Sequence, residues 1–348
     1  MPSAPPVGVV IANHNNSDFV GKAIESVARQ SIRDIRVIIV DDASTDRSDE
    51  TVRLCLSHLS DPRFRYIRLD SNVGQGGAIR RGLAELDTAF VCFLDSDDLW
   101  YDDFIARHLV VHMNADFPVA LTYCDSHIID ADDRILAGTA WWFDSIPTET
   151  SERKLDAALI PTIDRQTGEL AWPPNGEITF HPHWSPGGAT NSMASMMFRR
   201  SFIDLVLVPP DQDLGLYVDF YLSTFAALLT GVIAIHEALY AYRMHGRNKH
   251  SNATVLGGRY NSSIQAWESV RTPALQLIQT VMQSEAEAIR MAFGEERYGK
   301  AVALVAGALE PDTGRTKTSW AWMLEALLGR TAPSSDNGHD PAHRPRSR

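Results

Sequence analysis

The amino-acid sequence predicts an α/β protein built on a mixed, mainly parallel sheet that is flanked by helices. Continuous apolar runs, such as residues 7–12, predict strands that are buried on both faces. Segments with helical spacing of apolar residues alternate with these runs through the first third of the chain. Polar clusters follow the carboxyl ends of the runs, where sheets of this kind bind their ligands. These observations predict the fold class and the sheet edge that carries the function.

Four strand and helix units account for the first 118 residues. The predicted strands are residues 7–12, 35–40, 64–69 and 90–94. The predicted helices are residues 19–27, 48–59, 74–86 and 99–111. Because each strand is followed by a helix, we expect these units to form a parallel sheet.

The pattern becomes less regular after residue 118. The predicted strands are residues 119–124, 195–198 and 232–242, and the predicted helices are residues 200–206, 216–229, 265–293 and 298–328. Residues 140–186 are rich in Trp, Pro and His without a clear period, and we expect them to cover one face of the sheet irregularly. Their tryptophans are candidates for stacking on sugar rings or for plain core positions: Trp141, Trp142, Trp172 and Trp184.

Composition excludes several classes of function. The 348 residues include 32 Lys and Arg against 44 Asp and Glu, and the net charge of −12 argues against a general nucleic-acid binder. Three scattered cysteines predict neither a zinc site nor a disulfide framework and fit a reducing compartment. The sequence starts without the features of a signal peptide, and its longest apolar run, residues 225–235, is too short to span a bilayer. The prediction is a cytoplasmic protein, with surface attachment to a membrane left open.

The segment Asp95-Ser96-Asp97-Asp98 is the strongest chemical signal. Carboxylates grouped at the end of a buried strand repel one another, and a divalent cation would offset that repulsion. Oxygen ligands favour Mg²⁺ or Mn²⁺, held together with waters and substrate phosphates. The alternative is an acidic turn that caps the next helix. The buried strand before the motif and the polar clusters aligned with it favour the metal site.

A second acidic segment, residues 41–46, ends the second predicted strand. A carboxylate at a strand end can accept hydrogen bonds from a base or a ribose. The alternative is a capped turn, since Ser44, Thr45 and Asp46 are all turn formers. We assign residues 44–46 to the turn and Asp42 to the ligand.

A glycine-rich segment, residues 72–77, precedes the third predicted helix. It does not meet the dinucleotide fingerprint, because it follows the third strand and Ile79 occupies the third glycine position. It predicts instead a close backbone approach that leads to Arg80 and Arg81. One of these arginines could neutralise a pyrophosphate, and the other is expected to be a solvated surface charge.

Two further sites lie in the second half of the sequence. Asp219 has aromatic neighbours near a predicted helix start, where burial can raise the pKa of a carboxylate toward that of a useful base. A simple helix-terminal charge is the alternative. Arg243 and His245 follow a predicted strand, and either could contact phosphate or metal. For the histidine, an ordinary surface position is the alternative.

In this order, these segments resemble the family 2 glycosyltransferases, whose fold is the Rossmann-like GT-A fold. The matching segments are residues 9–15, 25–31, 37–46, 72–83, 93–100, 195–201 and 242–251. The resemblance covers roughly residues 7–252 and implies a GT-A domain over residues 1–252. Within it, residues 7–118 would form the nucleotide-sugar-binding half and residues 119–252 the acceptor-side half. Residues 253–330 would then be a helical extension and residues 331–348 a disordered tail.

The resemblance also implies roles for single residues. Asp42 would bind the nucleobase, Asp95 would face the ribose or the metal shell, and Asp97 would coordinate the metal that bridges the diphosphate. Asp219 falls where the family carries its catalytic base, and the family inverts the anomeric centre. The other residues expected around the donor are Asn13, Asn15, Asn72, Gly74, Arg80, Arg81, Ser96 and Arg243, with His245 as a further metal ligand.

Three positions depart from the family's pattern. Ala12 replaces a common Thr or Ser, Gln75 stands where many relatives carry Lys, and Val218 replaces a Glu that often precedes the base. The positive charge near the diphosphate would therefore come from Arg80 or Arg81. Because of Val218 the base is less firmly assigned, and Glu177 is the next candidate.

The sequence thus predicts an inverting, metal-dependent glycosyltransferase that uses a nucleotide-diphosphate sugar, with a UDP-sugar as the first choice. The acceptor would be a glycan, a lipid-linked sugar or a small molecule, in the synthesis of a cell-surface or exported glycan. A sugar nucleotidyltransferase is one alternative, but its glycine-rich loop should follow the first strand. A non-catalytic sugar-nucleotide binder is the other. The sequence leaves the sugar, the acceptor and the oligomeric state open.

Overall fold

The structure, a computed structural model, describes residues 4–137, 162–163, 170–171, 177–184, 192–207, 218–248 and 264–310. The strands are β1 (Val7–Asn13), β2 (Ile35–Asp41), β3 (Phe64–Arg68), β4 (Phe90–Asp95), β5 (Leu99–Trp100), β6 (Leu121–Ile129), β7 (Ile135–Ala137), β8 (Thr162–Ile163), β9 (Leu170–Ala171), β10 (Ile178–His181), β11 (Met196–Arg199) and β12 (Val232–Arg243). The helices are α1 (Val20–Ala28), α2 (Ser48–Leu59), α3 (Gly74–Leu83), α4 (Phe104–Asn114), α5 (Arg200–Val206), α6 (Val218–Leu229), α7 (Ile264–Ser284), α8 (Ala286–Phe293) and α9 (Glu295–Leu309).

The predicted mixed sheet is confirmed. Ten of the described strands form one sheet in the order β10-β12-β6-β11-β4-β1-β2-β3, with β5 paired to β12 and β7 to β6. β1 pairs in parallel with β2 and β4, β2 with β3, and β12 with β6. β11 inserts antiparallel between β4 and β6, and β10 runs antiparallel beside β12. The carboxyl ends of β1, β2 and β4 therefore meet at one edge of the sheet.

The sheet separates two apolar cores. Val10 and Phe93 face the core that α3 and α6 cover, whereas Val9 and Cys92 face the core that α1 and α4 cover. The alternate residues of β1 and β4 are buried on both faces, which is why these strands read as unbroken apolar runs.

Helix α3 packs unusually close to the sheet, because a Cβ added at Gly82 would lie 2.5 Å from Cγ1 of Val10. At the other end of the helix, Gly74 has a φ of 76°, a left-handed conformation that favours glycine. The helix is therefore entered through a glycine turn, as the sequence predicted.

The sequence prediction was wrong at the helix expected over residues 99–111. Leu99 and Trp100 form a short strand that pairs with Ala241 and Tyr240 of β12, and the helix begins only at Phe104. The physical reason is long-range: Trp100 is 1% exposed, stacks on Phe104, and donates its indole N–H to the carbonyl of Ala194 at 2.7 Å. A partner 94 residues away cannot be read from local periodicity.

The helical extension is present and joins the main core. Side chains of α7, α8 and α9 such as Ile278, Ile289 and Val305 belong to the same buried cluster as Phe225 of α6. The predicted single helix over residues 265–293 is divided at Glu285 into α7 and α8. None of the helices within the described ranges has both the length and the hydropathy required to cross a bilayer. The predicted helical residues beyond 310 and the predicted tail, residues 331–348, lie outside the described residues.

Candidate active site

The end of β2 is a closed network of hydrogen bonds. Asp41 is fully buried, and its carboxylate accepts the side-chain N–H of Asn13 at 2.8 Å, the backbone N–H of Ser44 and the hydroxyl of Ser44. Arg68 lies 3.5 Å from the same carboxylate. Asn13 is 1% exposed, so it supports Asp41 and does not face the solvent.

Asp42 links this strand end to the glycine-rich segment. Its Oδ1 atom accepts the backbone N–H of Val73 at 2.7 Å. Asn72 in turn accepts the backbone N–H of Gly74 at 3.1 Å through its side-chain oxygen. Asp42, Asn72 and Gly74, predicted from three separate segments, are therefore brought to one place.

Backbone strain marks the same region. Asn15 and Ala43 have φ values of 57° and 52°, which are costly for residues with a Cβ. The strain at Asn15 is supported by its side chain, whose oxygen accepts the backbone N–H of Thr45 at 2.7 Å. The two loops at the ends of β1 and β2 are thus held in one fixed arrangement.

At the end of β4, by contrast, carboxylates face one another. Burial and the nearby charges of Asp97 and Asp219 raise the pKa of Asp95 to about 7. Burial also raises the pKa of Asp219, in the first turn of α6, to about 6. The structure therefore brings Asp95, Asp97 and Asp219 together, although Asp219 is more than a hundred residues from the other two.

One neutral side chain partly offsets this repulsion. Gln75 donates its side-chain N–H to Oδ1 of Asp95 at 2.7 Å, which lowers the pKa of Asp95 against the larger effect of burial. A Cβ added at Gly76 would lie 3.3 Å from Cγ2 of Val218, so the start of α3 touches the start of α6. Gln75, which departs from the family's pattern, was not among the predicted site residues.

His245 is placed against Asp97. Its Nε2 atom lies 3.0 Å from Oδ2 of Asp97, and its side chain is 3% exposed. The backbone N–H of Arg247 donates to Nδ1 at 3.3 Å, so the neutral ring carries its proton on Nε2 and donates to Asp97. The ring also stacks on Phe19, with centroids 4.8 Å apart. Phe19 was not among the predicted site residues, since its apolar side chain carries no chemical signal of its own.

Arg243 has a different position from the predicted phosphate contact. It is fully buried, and its Nε donates to the carbonyl of Asp97 at 2.7 Å while its Nη1 donates to the carbonyl of Asp130 and pairs with Asp133. Its backbone N–H donates to Asp98 at 2.9 Å. Arg243 therefore holds the acidic segment in place from behind, because its guanidinium has no open face toward a diphosphate.

The two other predicted arginines lie on the second half of α3. Arg81 forms an ion pair with Glu85, one turn along the same helix. The side chain of Arg80 makes no hydrogen bond or ion pair with any residue in the described ranges. Neither arginine forms an ion pair with the acidic strand end within the residues that the structure describes, and their contact with a diphosphate stays a prediction.

The remaining predicted residues are placed as follows. Ser96 is 2% exposed, and its hydroxyl accepts the side-chain N–H of Asn16 at 2.9 Å. Asp98 is also buried, and burial together with Asp97 and Asp95 raises its pKa well above the usual value. Trp184 is 5% exposed and belongs to the core, so the sugar-stacking alternative does not apply to it. Trp141, Trp142 and Trp172 lie outside the described residues.

The acidic group suits a divalent cation that is completed by substrate. Within the described ranges, no three His, Cys, Asp or Glu side chains are arranged to hold a metal ion on their own. Burial and the neighbouring carboxylates raise the pKa of Asp95, and a cation would relieve the repulsion among these carboxylates. Asp97 and Asp95 offer the hard carboxylate oxygens that Mg²⁺ or Mn²⁺ combines with phosphate oxygens and waters. The predicted ligand His245 does not fit this role, because its Nε2–H donates to Asp97 and its Nδ1 accepts from Arg247. The two carboxylates therefore fit the predicted metal when a diphosphate supplies the missing ligands.

The family follows from a direct match. The sequence model of Glycosyl transferase family 2 matches residues 8–164, the part of the chain that contains both acidic strand ends. The chain is a glycosyltransferase, and its residues 8–164 belong to family 2. An uncharacterised glycosyltransferase of Nostoc sp. is 28% identical over 260 residues, which cover 75% of this chain and 71% of that protein. The succinoglycan biosynthesis protein ExoO of Rhizobium meliloti is 33% identical over 132 residues, 38% of this glycosyltransferase and 36% of ExoO.

The fold of this glycosyltransferase is also that of solved relatives. A crystal structure of S. aureus TarS in complex with UDP is similar with a TM-score of 0.52, at 14% sequence identity. The match covers 92% of this chain and 79% of the TarS chain. The predicted GT-A fold is thereby confirmed, and the predicted enzyme class agrees with the family.

Proposed function

We propose that this glycosyltransferase moves a sugar from a nucleotide-diphosphate sugar to an acceptor hydroxyl, with inversion and with the help of a divalent metal. The observation that carries the proposal is the meeting of Asp95, Asp97 and Asp219 at the carboxyl end of β4. Charge repulsion and burial at this point raise the pKa of Asp95. Such an arrangement costs stability, and it is explained if a cation and a polar substrate occupy it.

The nucleoside half of the donor belongs at the ends of β1 and β2. Asp42 takes the Val73 N–H with one carboxylate oxygen, and its other oxygen accepts no hydrogen bond from the described residues. That oxygen can accept a hydrogen bond from a base. Because the loops at Asn15 and Ala43 are fixed, the carboxylate of Asp42 is held in place and these loops need no further ordering when the donor binds.

Asp219 is the proposed base. It abstracts the proton from the acceptor hydroxyl as that oxygen attacks the anomeric carbon, and the bond to the diphosphate breaks on the opposite side. Burial raises the pKa of Asp219 to about 6, so the carboxylate is a stronger base than usual and is still mostly ionised at neutral pH. A single displacement of this kind inverts the anomeric centre.

Asp97 and Asp95 are the residues that would hold the metal, and His245 positions Asp97. When bound there, a divalent metal supplies electrostatic stabilisation of the negative charge that gathers on the leaving diphosphate. His245 holds Oδ2 of Asp97, and Arg243 holds its carbonyl, so the carboxylate keeps its position before any ligand arrives. Gln75 supplies a neutral donor to Asp95 where a lysine would supply a charge.

The comparisons support a UDP-sugar as the first donor to test and a surface glycan as the product. The TarS structure is a complex with UDP, and ExoO is a succinoglycan biosynthesis protein. The chain spans about a third of ExoO, so the glycan itself belongs to the proposal. We also propose that the enzyme works in the cytoplasm, with peripheral attachment to the inner face of the membrane.

A donor panel tests this function directly. Thermal unfolding would be followed with UDP-, GDP- and dTDP-sugars, each with and without Mn²⁺, because a ligand that binds only the native state raises its stability. We expect one nucleotide class to raise the unfolding temperature in Mn²⁺ and to release nucleoside diphosphate. Stabilisation that is the same without metal would contradict metal dependence, and the absence of diphosphate release from every donor would contradict the reaction.

A further inference from the structure

A second polar cluster lies on the sheet away from the acidic strand end. Asp125 of β6 and His236 of β12 are 3.9 Å apart, from Oδ2 to Nδ1. The other ring nitrogen of His236, Nε2, lies 2.9 Å from the hydroxyl of Thr179 on β10. A carboxylate, an imidazole and a hydroxyl therefore form a row across three neighbouring strands.

A β-bulge in β12 lies beside this row. Ile235 pairs with Cys124 and Ala238 pairs with Asp125, so two residues of β12 occupy a single step of β6. His236 shares a face with Asp125 by the ordinary alternation of the strand, since Ala234 and Tyr123 lie on that face, while Glu237 pairs with Arg107 of α4 on the other face. Bulges are frequent beside active sites.

The register places this row level with the catalytic centre. Cys92 of β4 and Thr122 of β6 both pair with Met197 of β11, which lies between the two strands. Asp95 and Asp125 each follow three residues later, on strands that run in the same direction. They therefore stand at the same height and on the same face. Because neighbouring strands are about 4.8 Å apart, their backbones are separated by about 10 Å.

The row is also open to solvent. The side chain of Asp125 is 26% exposed and that of His236 is 33% exposed, although the residues before them on the same face belong to the buried core. Tyr123 lies next to the row on this face, and its ring is stacked with that of His181 at a centroid distance of 6.5 Å. A polar group that served only the fold would be expected to be closed off from water and fully paired.

We propose that Asp125, His236 and Thr179 form the acceptor subsite and hydrogen-bond the hydroxyl groups of a sugar residue. The inference rests on the proposed function, because it takes Asp219 and Asp95 as the place where transfer occurs. Asp125 accepts hydrogen bonds from sugar hydroxyls, and Thr179 and His236 donate or accept as the sugar requires. The acceptor class is therefore a saccharide rather than a simple alcohol or a lipid phosphate.

Binding of simple sugars tests the subsite. Saturation-transfer NMR would measure the affinity of the methyl glycosides of glucose, galactose, mannose and N-acetylglucosamine in the presence of UDP and Mn²⁺. We expect the wild-type enzyme to bind at least one of them and Asp125→Asn to bind it about 10 to 100 times more weakly, as for a lost hydrogen bond to a charged group. The matched control is Glu237→Gln, the neighbouring carboxylate on the opposite face, which should bind like the wild type.

Two outcomes would overturn the subsite: no glycoside binds the wild-type enzyme, or Asp125→Asn binds as tightly as Glu237→Gln. Hydrolysis of the donor without acceptor is measured on the same preparations, and we expect it to be unchanged in both variants. A wild-type enzyme that hydrolyses no donor would contradict the proposed function. Normal hydrolysis with unaltered sugar binding in Asp125→Asn would contradict the acceptor subsite alone.

Discussion

The ends of β2 and β4 are both acidic, but the surroundings of their carboxylates differ. Asp41 is fully buried and receives hydrogen bonds from Asn13 and Ser44, with Arg68 close by. Asp95 is also largely enclosed, yet it faces two further carboxylates and a single neutral donor. The carboxylate of Asp41 is paired within the protein, whereas burial and like charge disfavour the ionised form of Asp95.

This difference separates structural acids from reactive ones. A carboxylate whose hydrogen bonds are all made within the protein fixes the shape of a loop, and its loss is a loss of stability. A carboxylate surrounded by like charge is a site for a ligand, and its loss is a loss of activity. Variants at the two strand ends should therefore show opposite effects on stability and turnover.

The largest effect is expected at Asp219. Asp219→Asn removes the base and should lower kcat by about 10² to 10⁴, as is usual when a general base is removed. Donor binding, measured by the thermal shift with nucleotide sugar and Mn²⁺, should be unchanged, since the amide keeps the shape of the side chain. If the variant turns over normally, the base lies elsewhere, and Glu177 is the next residue to test.

The same residue predicts the acidic limb of the pH profile. The pKa of Asp219 is raised to about 6, so the fraction of ionised base falls as the pH falls through that value. The turnover of the wild-type enzyme should decrease about tenfold per pH unit below about 6. The residual turnover of Asp219→Asn should not depend on pH in this way. If the variant shows the same acidic limb in its pH profile, that limb is due to another group.

Asp97→Asn should lower turnover by about 10² to 10³ through weaker stabilisation of the leaving diphosphate. The stabilisation that a donor gains from added Mn²⁺ should disappear at the same time. The unfolding temperature without ligands should not fall, because the substitution removes repulsion from Asp95. Unchanged donor affinity in Mn²⁺ would show that Asp97 is not a metal ligand.

Asp41→Asn is the counterpart at the other strand end. It places an amide among donors that need an acceptor, so we expect a loss of about 1 to 3 kcal/mol in the free energy of unfolding. Denaturant unfolding measures that loss, and catalysis by the folded fraction should change much less than in Asp97→Asn. If Asp41→Asn and Asp97→Asn were equally stable, the distinction between a structural acid at the end of β2 and reactive acids at the end of β4 would be wrong.

The smallest effect concerns Asp95 and pH. Its pKa is raised to about 7 in the folded protein from 3.8, so the folded state holds more protons between these values, and the stability due to this group falls as the pH rises from about 4 to about 7. Asp95→Asn removes this pH dependence of stability. As the pH rises from about 4 to about 7, the unfolding temperature of the variant should therefore increase relative to that of the wild type. Mn²⁺ with nucleoside diphosphate should reduce the gap, and a constant difference between the two proteins would contradict the repulsion.

Much of the fold was accessible from the sequence because its signals are local. Strands buried on both faces give unbroken apolar runs, and helix α2 was predicted with the bounds it has, residues 48–59. The acidic segment at the end of β4 was found for the same reason, since four neighbouring residues carry the signal. The resemblance then supplied the meaning of Asp219, whose own segment allowed two interpretations.

Other parts of the site depend on contacts that no local pattern contains. Arg243 looked like a phosphate ligand but is buried, because its partners are Asp97, 146 residues earlier, and the turn at Asp130, 113 residues earlier. Arg81 follows the glycine-rich segment in sequence, but it pairs with Glu85 one turn along its own helix.

The sequence by itself determined which residues can carry charge, which segments are buried on both faces, and which family this glycosyltransferase belongs to. Only the tertiary structure decided which of its acids are paired and which repel, and that Asp125 stands level with Asp95. The reason is that periodicity records the environment of each segment, whereas electrostatics and recognition depend on distances between segments. Those distances are set when the strands come into register and the helices pack on them.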